Sequence, residues 1–513
     1  MNEASRLPLG WTIAGINDTG RYINGFAFKP SHWGEVGRPI IRIQNLTDEE
    51  KVFNRTTFEV DDDLIVHPGE ILVSWSATLD AFIWKRETAV LNQHIFRVVP
   101  EIRVVHPTFL FYLLRWSIWE MKETEHLHGS TMKHINRGPF LAHTIKLPPL
   151  LEQSRIVAEI EKQFTRLDAA VAALRRVQAN LKRYRAAVLK AACEGRLVPT
   201  EAELACKQGR TYETGEQLLA RILKERRTKW EADQLAKMLA AGKAPKDDDW
   251  KKKYKEPKPP DTSNVPPLPE GWTWANLDQL KMFSIYGPRF SSDDYSESGT
   301  IVLRTTDISE SGKVDLDSAP RLDLATSDVA KYRLIRGDLV FTRTGATIGK
   351  TAIFDDDVQA IPGAYLIHFR LATEASTGWY LYRFFQSVSG QRWLLAGRLG
   401  IGQPNLNAPT IEAIPIPLPP VPEQQRILGA IDAQLTVVEK ESSQVTESWR
   451  KGERLRPSLL KRAFQGKLVP QDPNDEPASA LLERIRAERA KKVQPPKRTS
   501  QTRRRRSAVA EAL

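Results

Sequence analysis

The string most suggestive of chemistry is TGATIGKTAIF at residues 344–354, whose Gly349, Lys350 and Thr351 look like the end of a phosphate-binding loop. A P-loop needs G-x-x-x-x-G-K-[ST] leading from a strand into a helix, so that backbone N–H groups at the helix start cradle the phosphates. The position five residues before Gly349 is Thr344, and the residues after Lys350 read as strand, so nucleotide binding by this loop is not expected. Eight of the nine histidines precede residue 150, with His126, His128, His134 and His143 close together. None forms the i, i+4 pair with a carboxylate that marks a metal site, and imidazoles are equally suited to phosphates or bases. The acidic triplets at 61–63, 247–249 and 355–357 have no cationic partner in sequence and read as turns or linker. No Gly-rich cofactor loop and no Asn/Asp-Pro-Pro-Tyr/Phe string of an adenine methyltransferase is present. The residues therefore predict a chain with no catalytic site and no metal or cofactor of its own.

At 513 residues the chain is long enough for three or four cores. It has no stretch of about 18 apolar residues and no apolar signal-like start, so a cytoplasmic protein without a membrane partner is expected. Cys193 and Cys206 form no C-x-x-C pair and are read as free thiols. The net charge of +12 is unevenly spread: −1 over residues 1–150, −3 over 265–420, and +8 over each of 151–264 and 421–513. Bulk charge therefore supports a nucleic-acid partner only weakly, since charge runs are often solvated helix faces and tails.

The elements that must position any binding groups occur twice. LPLGW at residues 7–11 returns as LPEGW at 268–272, LPPLLEQSRI at 147–156 as LPPVPEQQRI at 418–427, and EGRLVP at 194–199 as QGKLVP at 465–470. The last two matches share one shift of 271 residues, so the segment between them has the same length in both copies. Its sequence is not retained, with only 4 identities in 25 positions from 161 to 185, which is how a spacer behaves. Ile156, Ile160, Leu167, Leu174 and Leu181 mark an apolar stripe at helical spacing. Ile427, Ile431, Leu435 and Val438 repeat it, with Leu455 and Leu459 further along, and Gly452 and Pro457 are expected to weaken or kink this second helix. One amphipathic helix cannot bury its stripe alone, so the copies are expected to pack on each other, with packing of each on its own domain as the alternative.

The blocks between the helices alternate short apolar runs, such as EILVSW and DLVFTR, with Gly, Asp and Asn turns, and each carries one aromatic-rich helical stretch. The fold class is thus α+β: two mixed α/β domains separated by two long helices packed as an antiparallel coiled coil, with a pseudo-twofold internal repeat. The expected boundaries are a first domain at 1–150, helical spacer at 151–235, charged Pro-rich linker at 236–267, second domain at 268–420, second helical spacer at 421–490, and a basic disordered tail at 491–513.

This ordered, twice-occurring set of LPxGW, L-P-P-x-x-E-Q-x-R-I and G-[RK]-L-V-P resembles the specificity subunits of type I restriction-modification enzymes over nearly the whole chain. The resemblance implies two target-recognition domains that each read half of a bipartite double-stranded DNA sequence. It also implies helical regions that bind two methyltransferase subunits, with restriction/translocase subunits completing a DNA-methylating, phage-defence complex. S-adenosylmethionine, ATP and Mg would then belong to the partner subunits. Candidate DNA-binding residues are Ser130, Thr131, Lys133, His134, Asn136 and Arg137 in the first domain. In the second they are Arg304, Thr305, Arg343, Thr344, Lys350, Gln403 and Asn405. GSTMKHIN at 129–136 and GIGQPNLN at 400–407 again differ by 271, so they are equivalent loops with different contents. A coiled-coil adaptor that does not touch DNA, or a diverged nuclease or NTPase, stays open as an alternative.

Overall fold

Runs of branched and aromatic residues become strands where both faces of the run can be buried. EILVSW supplies Ile71–Ser74 and DLVFTR supplies Leu339–Thr342, and every residue of both strands is buried. The computed structural model describes residues 7–123, 136–372, 375–397 and 405–493. The chain divides into two compact units, residues 1–174 with 447–513 and residues 175–446.

In unit one, a four-stranded antiparallel sheet has the order Gly20–Asn24, Ile95–Pro100, Ile71–Ser74, Asp80–Ile83. A second sheet joins Arg38–Ile41 to Ala89–Leu91 in parallel, with Arg55–Thr56 and Ile65–Val66 at its edges. The helix Pro107–Glu123 covers the first sheet with Phe109, Leu110, Leu113 and Leu114. Unit two repeats this plan. Lys281–Tyr286, Leu366–Leu371, Leu339–Thr342 and Thr351–Ile353 form its four-stranded sheet, and Arg321–Leu322, Thr300–Leu303 and Ala360–Pro362 the smaller one. Strand Thr351–Ile353 comes directly after Lys350, where a P-loop would have a helix.

The two long helices are Leu150–Cys193 and Val421–Phe464, of equal length. Each begins in one unit and ends in the other. Within unit one, Ile156 and Ile160 are fully buried against the aromatic helix and Phe464, so that end of the stripe serves its own domain's core as well. Leu167 and Leu174 are half-buried. Arg456 pairs with Asp168 and lies over Phe164, while Gly452 faces Leu167 and Val171, a descending match that makes the helices antiparallel. Within unit two, Ile427, Ile431 and Leu435 are buried with Val188, Leu189 and Ala192, Val438 is buried, and Leu181 is half-buried. Both of the alternatives for the stripe are therefore realised along one helix.

The second helix continues through Gly452 and Pro457. Two expectations need correction. Leu455, placed in the stripe by spacing, is 51% exposed, and Gly452 occupies the seam instead. The segment expected as a linker from 236 is not free: its first residues complete the helix Gly215–Ala240, and Trp250, Tyr254 and Glu256 fold back onto that helix. Trp250 stacks on Trp230, Tyr254 packs beside it, and the Lys258 carbonyl accepts from Asn276.

A Cβ at Gly452 would meet Leu167 and Val171 at 3.5 and 3.8 Å, which is ordinary contact. Alanine is favoured over glycine inside a helix by about 1 kcal/mol. Gly452→Ala is thus expected to raise the melting temperature by roughly 2–4 °C in calorimetry. A fall would show that the seam tolerates no added atom.

The duplicated motifs prove to be the joints of each unit. Gly466 has φ +68°, and a Cβ there would lie 2.4 Å from Pro8 Cγ and 3.3 Å from Trp11; Gly195 has φ +66° and meets Pro269 and Trp272 in the same way. Only glycine allows both the left-handed backbone and this approach. The closing segment of each copy thus packs on the opening LPxGW of the other copy, so the chain's repeats are cyclically exchanged between the two units. The E-Q-x-R string locks the joint. Glu152 accepts from Trp11 Nε1 at 3.0 Å and Gln471 at 3.3 Å, Gln153 bonds the carbonyls of Val104 and Pro148, and Arg155 reaches Asp475 at 2.6 Å. In unit two Glu423 accepts from Trp272 Nε1 at 3.0 Å and Glu201 N at 2.8 Å, Gln424 takes the place of Gln153, and Arg426 reaches Glu201 at 2.6 Å. A division at residue 420 or 421 misses this exchange.

Candidate nucleic-acid interface

Strand pairing brings four strand ends of each recognition domain to one pole. In unit one, Gly20–Asn24, Arg38–Ile41, Ile71–Ser74 and Ala89–Leu91 end there, and residues 92–94 turn the chain into Ile95–Pro100. Backbone bonds fix the corners: Gly25 N to Ile95 O at 3.1 Å, Trp75 N to His94 O at 3.2 Å, and Asn92 N to Ile41 O at 3.3 Å. Asn24, Arg42, Trp75, Gln93 and His94 follow or close these strands. In unit two the corresponding bonds are Gly287 N to Leu366 O at 3.1 Å, Arg343 N to Tyr365 O at 3.0 Å, and Gly363 N to Leu303 O at 2.9 Å. Tyr286, Arg304, Arg343 and Tyr365 occupy the corners here. The backbone frame is shared while the side chains differ at every corner except the Arg42/Arg304 one.

The side chains are set for hydrogen bonding and stacking. Arg343 lies 4.7 Å over the exposed Tyr286 ring, and its Nε donates to Asn405 Oδ1 at 3.3 Å. Thr344 pairs with Asn405 as a β-bridge, so three of the sequence-chosen residues come together beside the exposed Tyr365. Arg304 and Lys350 are differently employed. Arg304 holds the buried Asp307 through Nε at 3.0 Å and Nη2 at 2.7 Å, and Lys350 pairs with Glu310 at 2.7 Å. Thr305 lies in the short turn Thr305–Asp307, half-buried. In unit one Asn136 stands at the N-cap of Arg137–Ala142, and Arg137 donates to the Tyr22 carbonyl at 3.4 Å. Ser130, Thr131, Lys133, His134 and Gln403 lie outside the described residues. Among the described residues no three His, Cys, Asp or Glu gather as a metal cluster, and no helix is long and apolar enough to cross a membrane.

The family described as Type I restriction modification DNA specificity domain matches residues 8–176 and 269–446, more than half of the sequence. The chain belongs to the family of type I restriction-modification specificity subunits. The matches open at the two LPxGW strings and run through both recognition domains into each long helix. The specificity subunit of the type I restriction enzyme EcoBI of Escherichia coli is 24% identical, covering 94% of this chain and 92% of its own. That of EcoKI, from Escherichia coli strain K12, is 22% identical, covering 95% and 97%. A solved chain from work on complex assembly and conformational transition of the type I R-M system shares the fold. It has a TM-score of 0.61 at 15% identity and covers 90% of this chain and 99% of that one.

Asn24, Arg42, Trp75, Gln93, His94, Tyr286 and Tyr365, which the structure places at the strand-end poles, are not among the candidates chosen from the sequence. For Arg42 a signal existed, because IRIQN at 41–45 and LRTTD at 303–307 align at a shift of 262, close to the 261 of LPxGW. For the others the neighbours in space are some 20 or more residues apart, and only strand pairing joins them.

Proposed function

We propose that this chain reads a bipartite DNA target, one half-site by each recognition domain at its strand-end pole, and that it carries no catalytic site. The observation that carries the reading is the repetition of one backbone frame whose corners hold different hydrogen-bonding and aromatic side chains in the two copies. Two unlike half-sites need such a frame, since base edges are told apart by donor and acceptor patterns. The near-neutral charge of both recognition blocks fits a division of labour in which partner subunits supply much of the phosphate contact. Two methyltransferase subunits would dock, one for each copy of the repeated helical region, and restriction/translocase subunits would join through them in the cytoplasm. S-adenosylmethionine, ATP and Mg would be held by those subunits. The relatives' designation as specificity subunits of restriction enzymes supports this assignment.

The test is reconstitution. The chain alone is expected to methylate nothing and to bind DNA weakly, whereas addition of the cognate methyltransferase subunit should give sequence-specific adenine methylation by a complex of two methyltransferases to one of this chain. Methylation by the isolated chain, or a one-to-one complex at saturation, would overturn the reading.

A further inference from the structure

Arg42 and Arg304 occupy equivalent corners, each directly after a strand and each opening a turn closed by the residue three positions on. Asn45 Oδ1 accepts from Arg42 N at 3.1 Å, and Asp307 Oδ2 accepts from Arg304 N at 2.8 Å. The turn is the same, but the charge is not. Asp307 is buried and binds the Arg304 guanidinium through both of its oxygens, and Nη2 also reaches the Ser318 carbonyl. The Nε and Nη2 groups of Arg304 are thereby engaged by the fold. Asn45 is neutral, and its amide donates to the carbonyls of Lys51 and Val52 instead. Among the described residues no carboxylate lies within ion-pair distance of Arg42, whose guanidinium rests 5.4 Å over the exposed Trp33 ring. Stacking on an aromatic face holds the plane of a guanidinium while leaving its edge donors available.

Arg42 also lines a cleft of about 400 Å³ with Gln44, Ala77, Thr78, Gln93 and His94. Among the described residues only Ala77, at φ +56°, and His94, at φ +71°, are non-glycine residues with positive φ, and both line this cleft. Such backbone costs about 1–3 kcal/mol per residue and persists where the surroundings impose it, which is commonly at a binding site. The His94 backbone is held by its carbonyl, which accepts from Trp75 N at 3.2 Å, while its Nδ1 is buried without a partner among the described residues. Arg42 thus stands beside residues that carry amide and hydroxyl groups, Gln44, Thr78 and Gln93, at the pole where the strands end. That set suits a base-pair edge.

Resting on the proposed function, we infer that Arg42 is the specificity-determining guanidinium of the first recognition domain, reading a guanine edge from this cleft, while the equivalent Arg304 is a structural residue and the second domain's reading guanidinium has moved to Arg343. At the position of Arg343 the first domain carries Trp75, whose Nε1 is bound to Asn24 Oδ1 at 3.2 Å. The two domains thus present guanidinium at different corners of one frame.

The experiment uses the complex of the full chain with its methyltransferase and a DNA library randomised over both half-sites, with methylated sites sequenced. Arg42→Ala should lower discrimination at one guanine of a single half-site by about 5- to 150-fold, the discrimination that one bidentate pairing provides. Arg42→Gln should move the preference at that base pair toward adenine, which glutamine pairs with bidentately. The other half-site, read by the same molecules, reports folding and should be unchanged. Unchanged specificity with Arg42→Ala, or relaxation by Lys133→Ala with Asn136→Ala alone, overturns the inference and leaves the proposed function standing. Absence of sequence-specific methylation by the wild-type complex overturns both.

Discussion

Arg343→Ala with Asn405→Ala is expected to relax one half-site by about 5- to 150-fold for each bidentate pairing with a base that the substitutions remove, and to leave the other half-site intact. Arg343 is fixed between Tyr286 and Asn405 at the end of Leu339–Thr342, so its guanidinium is oriented before DNA arrives. Preorganisation of this kind makes the loss appear as changed discrimination rather than as a uniform drop in binding. A phosphate-contacting arginine would instead weaken all sequences alike and reduce the salt dependence. Measuring methylation over the randomised library at two salt concentrations separates these outcomes. Equal loss on every sequence would remove Arg343 from base reading, and relaxation of both half-sites would refute the assignment of one pole to one half-site.

Glu423→Ala is expected to destabilise the protein by roughly 2–6 kcal/mol, because it leaves two buried donors, Trp272 Nε1 and Glu201 N, without an acceptor at about 1–3 kcal/mol each. A melting temperature lower by on the order of 10 °C should result. Hydrogen exchange should rise first in residues 194–215, which the joint holds against LPEGW. Burial pushes the Glu423 carboxyl above its ordinary value of 4.5 despite the bonds from Glu201 N and Trp272 and the charge of Arg426. A raised value means that its titration favours the folded state below pH 4.5, and that this advantage is lost as the pH rises through the folded value. The gap between wild type and Glu423→Ala should therefore narrow from pH 4 toward neutrality. An unchanged melting temperature would show that the joint does not hold unit two together.

Much of this was legible in the sequence where the determining interactions are local or periodic. The stripe from Ile156 onward, the strands in EILVSW and DLVFTR, and the strand after Lys350 come from spacing alone, because burial on one face imposes its period on the chain. The repeat itself, from LPxGW to the closing G-[RK]-L-V-P, is a property of residue identity and needs no coordinates. Even the difference between Arg42 and Arg304 is written locally, as Asn45 against Asp307 three residues on, once the turn that brings them together is known.

Only the tertiary structure decided which copies meet. Gly466 packs on Pro8 and Trp11 across more than 450 residues, and nothing in a repeat says whether its end closes on its own start or on the other copy's. Both arrangements would bury the same tryptophan and the same glutamate. The corners of the reading pole are of the same kind: Trp75 meets His94, and Arg343 meets Tyr365, through strand pairings that sequence periodicity leaves open. Periodicity sets which face of an element is buried, and long-range packing alone selects the partner that buries it.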